Sequence, residues 1–407
     1  MRTPDLNWIK DPRVFQVNRQ HAYSDHIYTI GKDKKPSSFS LNGTWKFNLS
    51  KNYDSCFKFF YNTEFNDTNW NDIQVPGHIQ LQGFDNPHYT DVTYPWDGHD
   101  VVKPGQIDMD KNKVYQYRKT FDCPQDFIGN KLILSFEGAE SNIYVWLNGK
   151  FIGYSEDSFT PSRFDITKYT QEKDNVLSVR IFQKCTGTWL EGQDMWRFSG
   201  IFRDVMIYKQ PSQHIQDLKI DTNIDLDTKK SVLTCTCKMS SNESHILQAK
   251  LYDPQGNIVW NGNMQDTFEI PVENTSLWSS EYPNLYQLEI VLYDSNNEII
   301  ETIQEQVGFR KFTLEYGIMK LNGKRIVFHG INRHEWDSKT GRCLSQEQME
   351  EDIHILKSLN INAVRTSHYP NNSYWYKLCD QYGIYVIDEM NLETHGVNDI
   401  LPQNKTE

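Results

Sequence analysis

Two consecutive β-sandwiches followed by βα units on a parallel sheet are the fold class that this sequence predicts, and three observations predict it. Short alternating strand runs bounded by turn residues fill residues 41–309, a linker-like stretch at 209–216 divides them, and from residue 320 strand-length and helix-length apolar patterns alternate. A chain of 407 residues is also too long for one core, so several domains are expected.

In the first sandwich, residues 131–137 (KLILSFE) and 143–147 (IYVWL) read as strands. Asn148-Gly149 behind them is a two-residue hairpin signal, because both residues tolerate positive φ. Residues 176–182 (VLSVRIF) and 201–208 (IFRDVMIY) continue the series. Many short strands with few helical patterns imply a jelly-roll β-sandwich. Its long polar connections, before Thr93 and at 107–112, are the places where a sandwich carries binding residues.

Beyond the linker 209–216 (KQPSQHIQ), strands are expected at 232–237, 245–252, 257–260, 285–293 and 299–306. Turn signals at 253–256 (DPQG) and 294–297 (DSNN) separate them. That spacing over roughly a hundred residues suits an immunoglobulin-like β-sandwich. The pattern then changes. Residues 325–329 (RIVFH) read as a buried strand, 345–359 (SQEQMEEDIHILKSL) as an amphipathic helix with Ser345 as N-cap and Gln348 completing a capping box, and 363–366 as a second strand. A second helix over 372–382 stops at Gly383, and 384–388 (IYVID) is a third strand. Such units build a parallel sheet whose chemistry belongs at the C-terminal ends of the strands. The expected domains are 1–210, 211–311 and 312–407.

Composition narrows the function. Acidic residues outnumber basic ones 54 to 42, net charge is -12, and the basic residues form no runs, which disfavours a nucleic-acid partner. No apolar run approaches the roughly 18 residues a membrane span requires. The first sixteen residues (MRTPDLNWIKDPRVFQ) lack the apolar centre of a secretory signal, so a cytoplasmic location is expected. Seven scattered cysteines agree with a reducing compartment; Cys235 and Cys237 sit in a strand-like stretch, too close for an unstrained disulfide, and read as buried thiols. Aromatics at 13% suit sugar binding, since pyranose rings lay their C–H faces on aromatic planes, but β-rich cores use the same residues.

Three polar sets mark the strand ends: 329–335 (HGINRHE), 365–370 (RTSHYP) and 388–396 (DEMNLETHG). A single histidine after a strand is ordinarily a hydrogen-bonded structural residue. Three polar clusters on successive βα loops converge on one mouth, and that convergence points to an active site. Glu393-x-His395 offers two ligands for a divalent cation, which alone is not a metal site. Asp388 and Glu389 are adjacent on an extended segment and so face opposite ways, which gives at least one of them a structural role.

The stretch 362–387 (NAVRTSHYPNNSYWYKLCDQYGIYVI) resembles the signature of glycoside hydrolase family two. GINRHE (330–335), NLETHG (391–396), YTDVTYP (89–95) and DMWRFSGIFRDV (194–205) are similar to its β-galactosidase branch, in consistent order over nearly the whole chain. The resemblance implies a jelly-roll sugar-binding domain, an immunoglobulin-like sandwich and the first part of a (β/α)8 TIM barrel, about three of its eight strands. The activity it implies is retaining hydrolysis of terminal β-D-galactose from β-galactosides such as lactose.

Residue by residue, it casts His334 and His368 as groups that hydrogen-bond the galactosyl ring and stabilise its oxocarbenium-like transition state. It implies that Asp194 contacts galactose hydroxyls and ligates Na+, and that Glu393 and His395 ligate Mg2+. Asp91 stands where the family usually has a sugar-contacting asparagine, a change that removes a donor and adds a charge. A retaining glycosidase needs two carboxyl groups roughly 5–5.5 Å apart. The resemblance places that acid/base and nucleophile after the fourth and seventh barrel strands, beyond Glu407, together with the rest of both metal sites. These 407 residues are therefore expected to be inactive alone, and the full-length form to be a homo-oligomer. A noncatalytic carbohydrate-binding or complementation fragment is the alternative reading; β-glucuronidase and β-mannosidase are the rival activities, against which the NLETHG and Asp194 motifs favour galactose.

Overall fold

The computed structural model describes residues 3–90, 102–103 and 105–394. Its first sandwich pairs a seven-stranded sheet, in the order Gln16–Val17, Lys150–Glu156, Asn142–Leu147, Asn175–Phe182, Val114–Phe121, Gly43–Ser50 and Asn71–Val75, with a four-stranded one. The latter runs Ser162–Asp165, Lys131–Phe136, Val205–Gln210 and Ser38–Ser40. Both contribute to one core that includes Trp45, Phe47, Tyr117, Leu134, Phe136, Val145 and Val179. The expected hairpin forms, with Asn148 at φ 50° and Gly149 at φ 76° joining Leu147 to its partner Lys150.

Strict alternation fails in Asn142–Leu147, where every residue is buried. The outer face of that sheet carries a second cluster of Phe60, Trp70, Tyr144, Trp146 and Tyr154, against which Trp8 packs. Tyr61 stacks on Trp146 with ring centroids 5.0 Å apart. Much of the aromatic content thus serves packing, as it does in β-rich interiors generally.

The second sandwich sets a three-stranded sheet (Ile215–Asp225, Lys230–Met239, Thr267–Glu273) against a six-stranded one. Four strands of the larger sheet are local: Ile258–Met264, Ile246–Tyr252, Tyr286–Tyr293 and Ile299–Val307. The other two, Tyr28–Ile30 and Lys35–Pro36, come from the chain's N-terminal part, Tyr28 pairing with Ile303. Cys235 and Cys237 both point into this core, since two residues along a strand return to the same face; all seven cysteines are free thiols. The linker is shorter than composition suggests. Lys209 and Gln210 are still in the ladder of the first sandwich, where Lys209 donates to Asp126, and the next strand begins at Ile215.

A three-stranded antiparallel ribbon, Phe312–Glu315, Ile318–Leu321 and Lys324–Arg325, precedes the parallel sheet of Gly330–Arg333, Ala363–Thr366 and Tyr385–Ile387. The expected buried strand at 325–329 is corrected: the first parallel strand starts five residues later, and Val327 and Phe328 are 54% and 40% exposed. The Asn362 side chain accounts for the shift. It accepts from His329 N at 2.8 Å and donates to Val327 O at 3.0 Å, so a side chain takes the place of a backbone partner for those two groups, while Asn362 N still donates to His329 O at 3.0 Å.

Helix α1 (Gln346–Ser358) carries the expected capping box of Ser345 and Gln348. Helix α2 (Ser373–Tyr382) starts at Asn372 and ends on Gly383 at φ 71°, the left-handed position that glycine takes without strain. Among the described residues no helix is long and apolar enough to cross a membrane.

Candidate functional site

Each parallel strand hands its C-terminal residues to one region. His334 and Glu335 follow the first strand, His368 follows the second, and Glu389 to Glu393 follow the third. His334 and His368 meet edge to face with ring centroids 5.4 Å apart. Tyr369, fully buried, places its hydroxyl 3.5 Å from His334 Nδ1. Burial, with the Arg342 guanidinium as a positive neighbour, pulls the His334 pKa down to about 4, so this imidazole stays neutral at ordinary pH.

Asp388 and Glu389 part company as adjacent residues should. Asp388 accepts from Thr366 Oγ1 at 2.9 Å and from the Tyr376 hydroxyl at 2.6 Å, which ties strand to helix. Glu389 turns to His368: Oε2 lies 3.1 Å from His368 Nδ1, and Oε1 accepts from Arg365 Nε.

The first sandwich reaches into this region directly. Its 190–194 loop supplies Gln193, which donates to the His368 carbonyl at 3.3 Å and to Asn391 Oδ1 at 2.7 Å. The Leu190 carbonyl accepts from the backbone N–H of Glu393 and Thr394 at 3.2 and 3.1 Å. Asp194, partly buried, lies close enough to His334 to act on its charge and accepts a hydrogen bond from Tyr89. Tyr89 and Trp196 lie beside it with ring centroids 5.6 Å apart, and they are 48% and 42% exposed.

Of the candidate residues, His334 and His368 meet, Asp194 lies near His334, and Glu393 is tied through its backbone to the same 190–194 loop. Asp91 and His395 lie outside the described residues. Among the described residues no three His, Cys, Asp or Glu side chains gather as a metal site. The carboxylate of Glu393 has the hard oxygens that Mg2+ prefers, but one ligand does not hold the ion.

Two buried arginines fix the βα unit to the first sandwich, and sequence reading missed both. Arg203 donates to Glu335 Oε2 at 2.6 Å, Pro370 O at 2.7 Å and Phe159 O at 2.8 Å. Arg342 pairs with Glu140 and donates to Trp196 O at 2.9 Å, while its N–H reaches His78 Nε2 at 3.0 Å. Burial and Arg342 push the His78 pKa well below the ordinary range. A cavity of about 620 Å³ lies along this seam, lined by His78, Arg203, Glu335 and Arg342 among others, and neither His334 nor His368 lines it. Nothing local distinguishes Arg342 from a surface arginine, and only the place of Arg203 beside the apolar strand run 201–208 could have flagged that one.

Comparison with known proteins agrees with this layout. Residues 39–211 match the sugar-binding domain of glycosyl hydrolases family 2, residues 213–310 a further family 2 domain, and residues 312–406 the family's TIM barrel domain. A β-galactosidase of Halalkalibacterium halodurans is 49% identical over 405 residues, which cover 96% of this chain and 40% of that protein. The β-galactosidase large subunit of Leuconostoc lactis is 42% identical over 96% of this chain and 66% of its own length. The chain thus spans 40% of the length of the first curated relative. Among solved structures, a β-glucuronidase from Ruminococcus gnavus superposes with a TM-score of 0.72 at 21% identity over 91% of this chain and 61% of that one, which establishes a shared fold. The architecture is a jelly-roll sugar-binding sandwich, an immunoglobulin-like sandwich and part of a TIM barrel.

Proposed function

Because the chain belongs to glycosyl hydrolases family 2, we propose that it is part of a retaining β-galactosidase and carries one half of a galactose site. The observation that carries the reading is the clamp between sandwich and sheet. Loop 190–194 is hydrogen-bonded to the loops after both the second and third strands, so the sugar-binding domain helps form the mouth of the barrel. The carboxylate of Asp194 suits paired sugar hydroxyls, the two histidines supply further polar contacts, and the open rings of Tyr89 and Trp196 suit the apolar face of a pyranose. The curated relatives are named as β-galactosidases.

These residues bind and orient; they do not complete a glycosidase. Glu389 is held by Arg365 and His368, and hydrolysis needs a second, suitably spaced carboxyl group. The reading therefore includes no hydrolysis of galactosides by these 407 residues alone. It also includes Mg2+ at Glu393 and His395 and Na+ at Asp194, each requiring further ligands, a cytoplasmic location, and a homo-oligomeric full-length enzyme.

Titration of the purified chain with methyl β-D-galactoside, followed by intrinsic tryptophan fluorescence, tests it. Weak saturable binding that Asp194→Ala abolishes is expected, with β-glucuronide and β-mannoside binding less tightly. Equal affinity for the three sugars would remove the galactose assignment. Release of nitrophenol from a nitrophenyl galactoside by chain free of host enzyme would remove the claim of inactivity.

A further inference from the structure

His368 Nδ1 has two polar neighbours of opposite character. Glu389 Oε2, at 3.1 Å, can only accept a hydrogen bond, whereas Arg365 Nη2, at 3.3 Å, can only donate one. One ring nitrogen satisfies one of them. The guanidinium already donates to Glu389 through Nε, and the Arg365 side chain is 36% exposed, so water can serve its other N–H groups. The Oε2 atom of Glu389 has only the ring of His368 as a hydrogen-bond partner among the described residues.

The Glu389 backbone is pinned as well, its N–H donating to Thr366 Oγ1 at 3.0 Å, and the His368 carbonyl is held by Gln193. Among the described residues no partner engages His368 Nε2. A ring nitrogen's proton is set by the hydrogen bond its opposite nitrogen makes.

We propose that Glu389 is a positioning residue that keeps the proton of neutral His368 on Nδ1, so that Nε2 presents a lone pair to a pyranose hydroxyl. The inference rests on the galactose-site reading and deepens it: His368 acts as an acceptor, and the group it recognises is a sugar O–H donor. Arg365 balances the carboxylate charge without competing for the ring.

Histidine-selective 15N labelling of the full 407-residue chain reads the tautomer directly, with the His368 signals assigned through His368→Gln. The expected parent spectrum has a pyrrole-type Nδ1 and a pyridine-type Nε2. In Glu389→Leu the guanidinium becomes the nearest polar neighbour of Nδ1, and the proton is expected to move to Nε2. A pyridine-type Nδ1 in the parent overturns the proposal, and that measurement needs no variant to fold. A folded Glu389→Leu chain with an unchanged tautomer overturns it too.

Methyl β-D-galactoside should then shift the Nε2 resonance of the parent. An Nδ1–H tautomer with no shift at saturating galactoside would refute His368 as a sugar acceptor while leaving Glu389 as the residue that sets the ring. Failure of the fluorescence titration would instead refute the galactose reading itself.

Discussion

Replacing Arg203 by methionine removes the polar bolt between the first sandwich and the parallel sheet. Side chains of Arg203 and Glu335 are 7% and 2% exposed, and the three bonds from the guanidinium lie between 2.6 and 2.8 Å. Methionine keeps much of the stem's volume but leaves the Glu335 carboxylate buried without its counter-charge and two carbonyls without donors. Removing one member of a buried pair costs about 3–5 kcal/mol. The carbonyl of Pro370 and that of Phe159 would add about 1–3 kcal/mol each if water could not reach them.

Glu335 Oε1 keeps the Asn372 N–H at 2.5 Å, and the adjoining cavity can admit water. A loss within the range for the pair alone, about 4 kcal/mol, is therefore expected for the unfolding step that releases the βα segment. Urea titration followed by tryptophan fluorescence measures it, and limited proteolysis of the variant is expected to leave a stable core ending near Phe309. The double variant Arg203→Met/Glu335→Gln removes the stranded charge and is expected to recover about 2 kcal/mol. A single variant within about 1 kcal/mol of the parent, or a double variant no more stable than the single, would refute the reasoning.

Other predictions follow from separate features. Glu301 accepts from Ile215 N at 2.6 Å, and burial raises its pKa from 4.5 to about 8. The folded chain therefore holds a proton that the unfolded chain has released. Stability is fully present below the unfolded value and falls as pH rises toward about 8, by at most about 1.4 kcal/mol per unit; Glu301→Gln should flatten the slope of Tm against pH in that window. Gly383→Ala introduces a Cβ at φ 71° that clashes with the Ser280 carbonyl oxygen, and a drop in Tm equivalent to about 1–3 kcal/mol is expected. His334 should titrate near pH 4 by 1H NMR; a midpoint near its ordinary 6.5 would mean that the histidine is solvated rather than packed between His368 and Tyr369. Asp91→Asn, which restores an amide donor, is expected to tighten galactoside binding in the same fluorescence titration.

Signals that act over a few residues were legible. The Asn148-Gly149 hairpin, the Ser345–Gln348 capping box and the Gly383 stop each depend on φ preference or on a side chain bonding its own backbone, and the structure has all three. The error at 325–329 shows where such reasoning ends. An apolar run is compatible with a buried strand, but whether its backbone joins a ladder depends on Asn362, more than thirty residues away. The strands from Tyr28 to Pro36 that complete the second sandwich carry no local mark of that destination either.

By itself the sequence determined the order of the architecture and the identities of the polar residues at the strand ends, because periodicity, turn chemistry and motif spacing are written along the chain. Tertiary structure alone decided which of those residues meet. It turned Glu389 toward His368 and Asp388 toward Tyr376, closed Gln193 over the His368 carbonyl, and buried Arg203 and Arg342 between domains. The physical reason is that local conformational preference acts over a handful of neighbours, whereas charge pairing, desolvation and the proton position on a histidine depend on groups that only folding brings within hydrogen-bond distance.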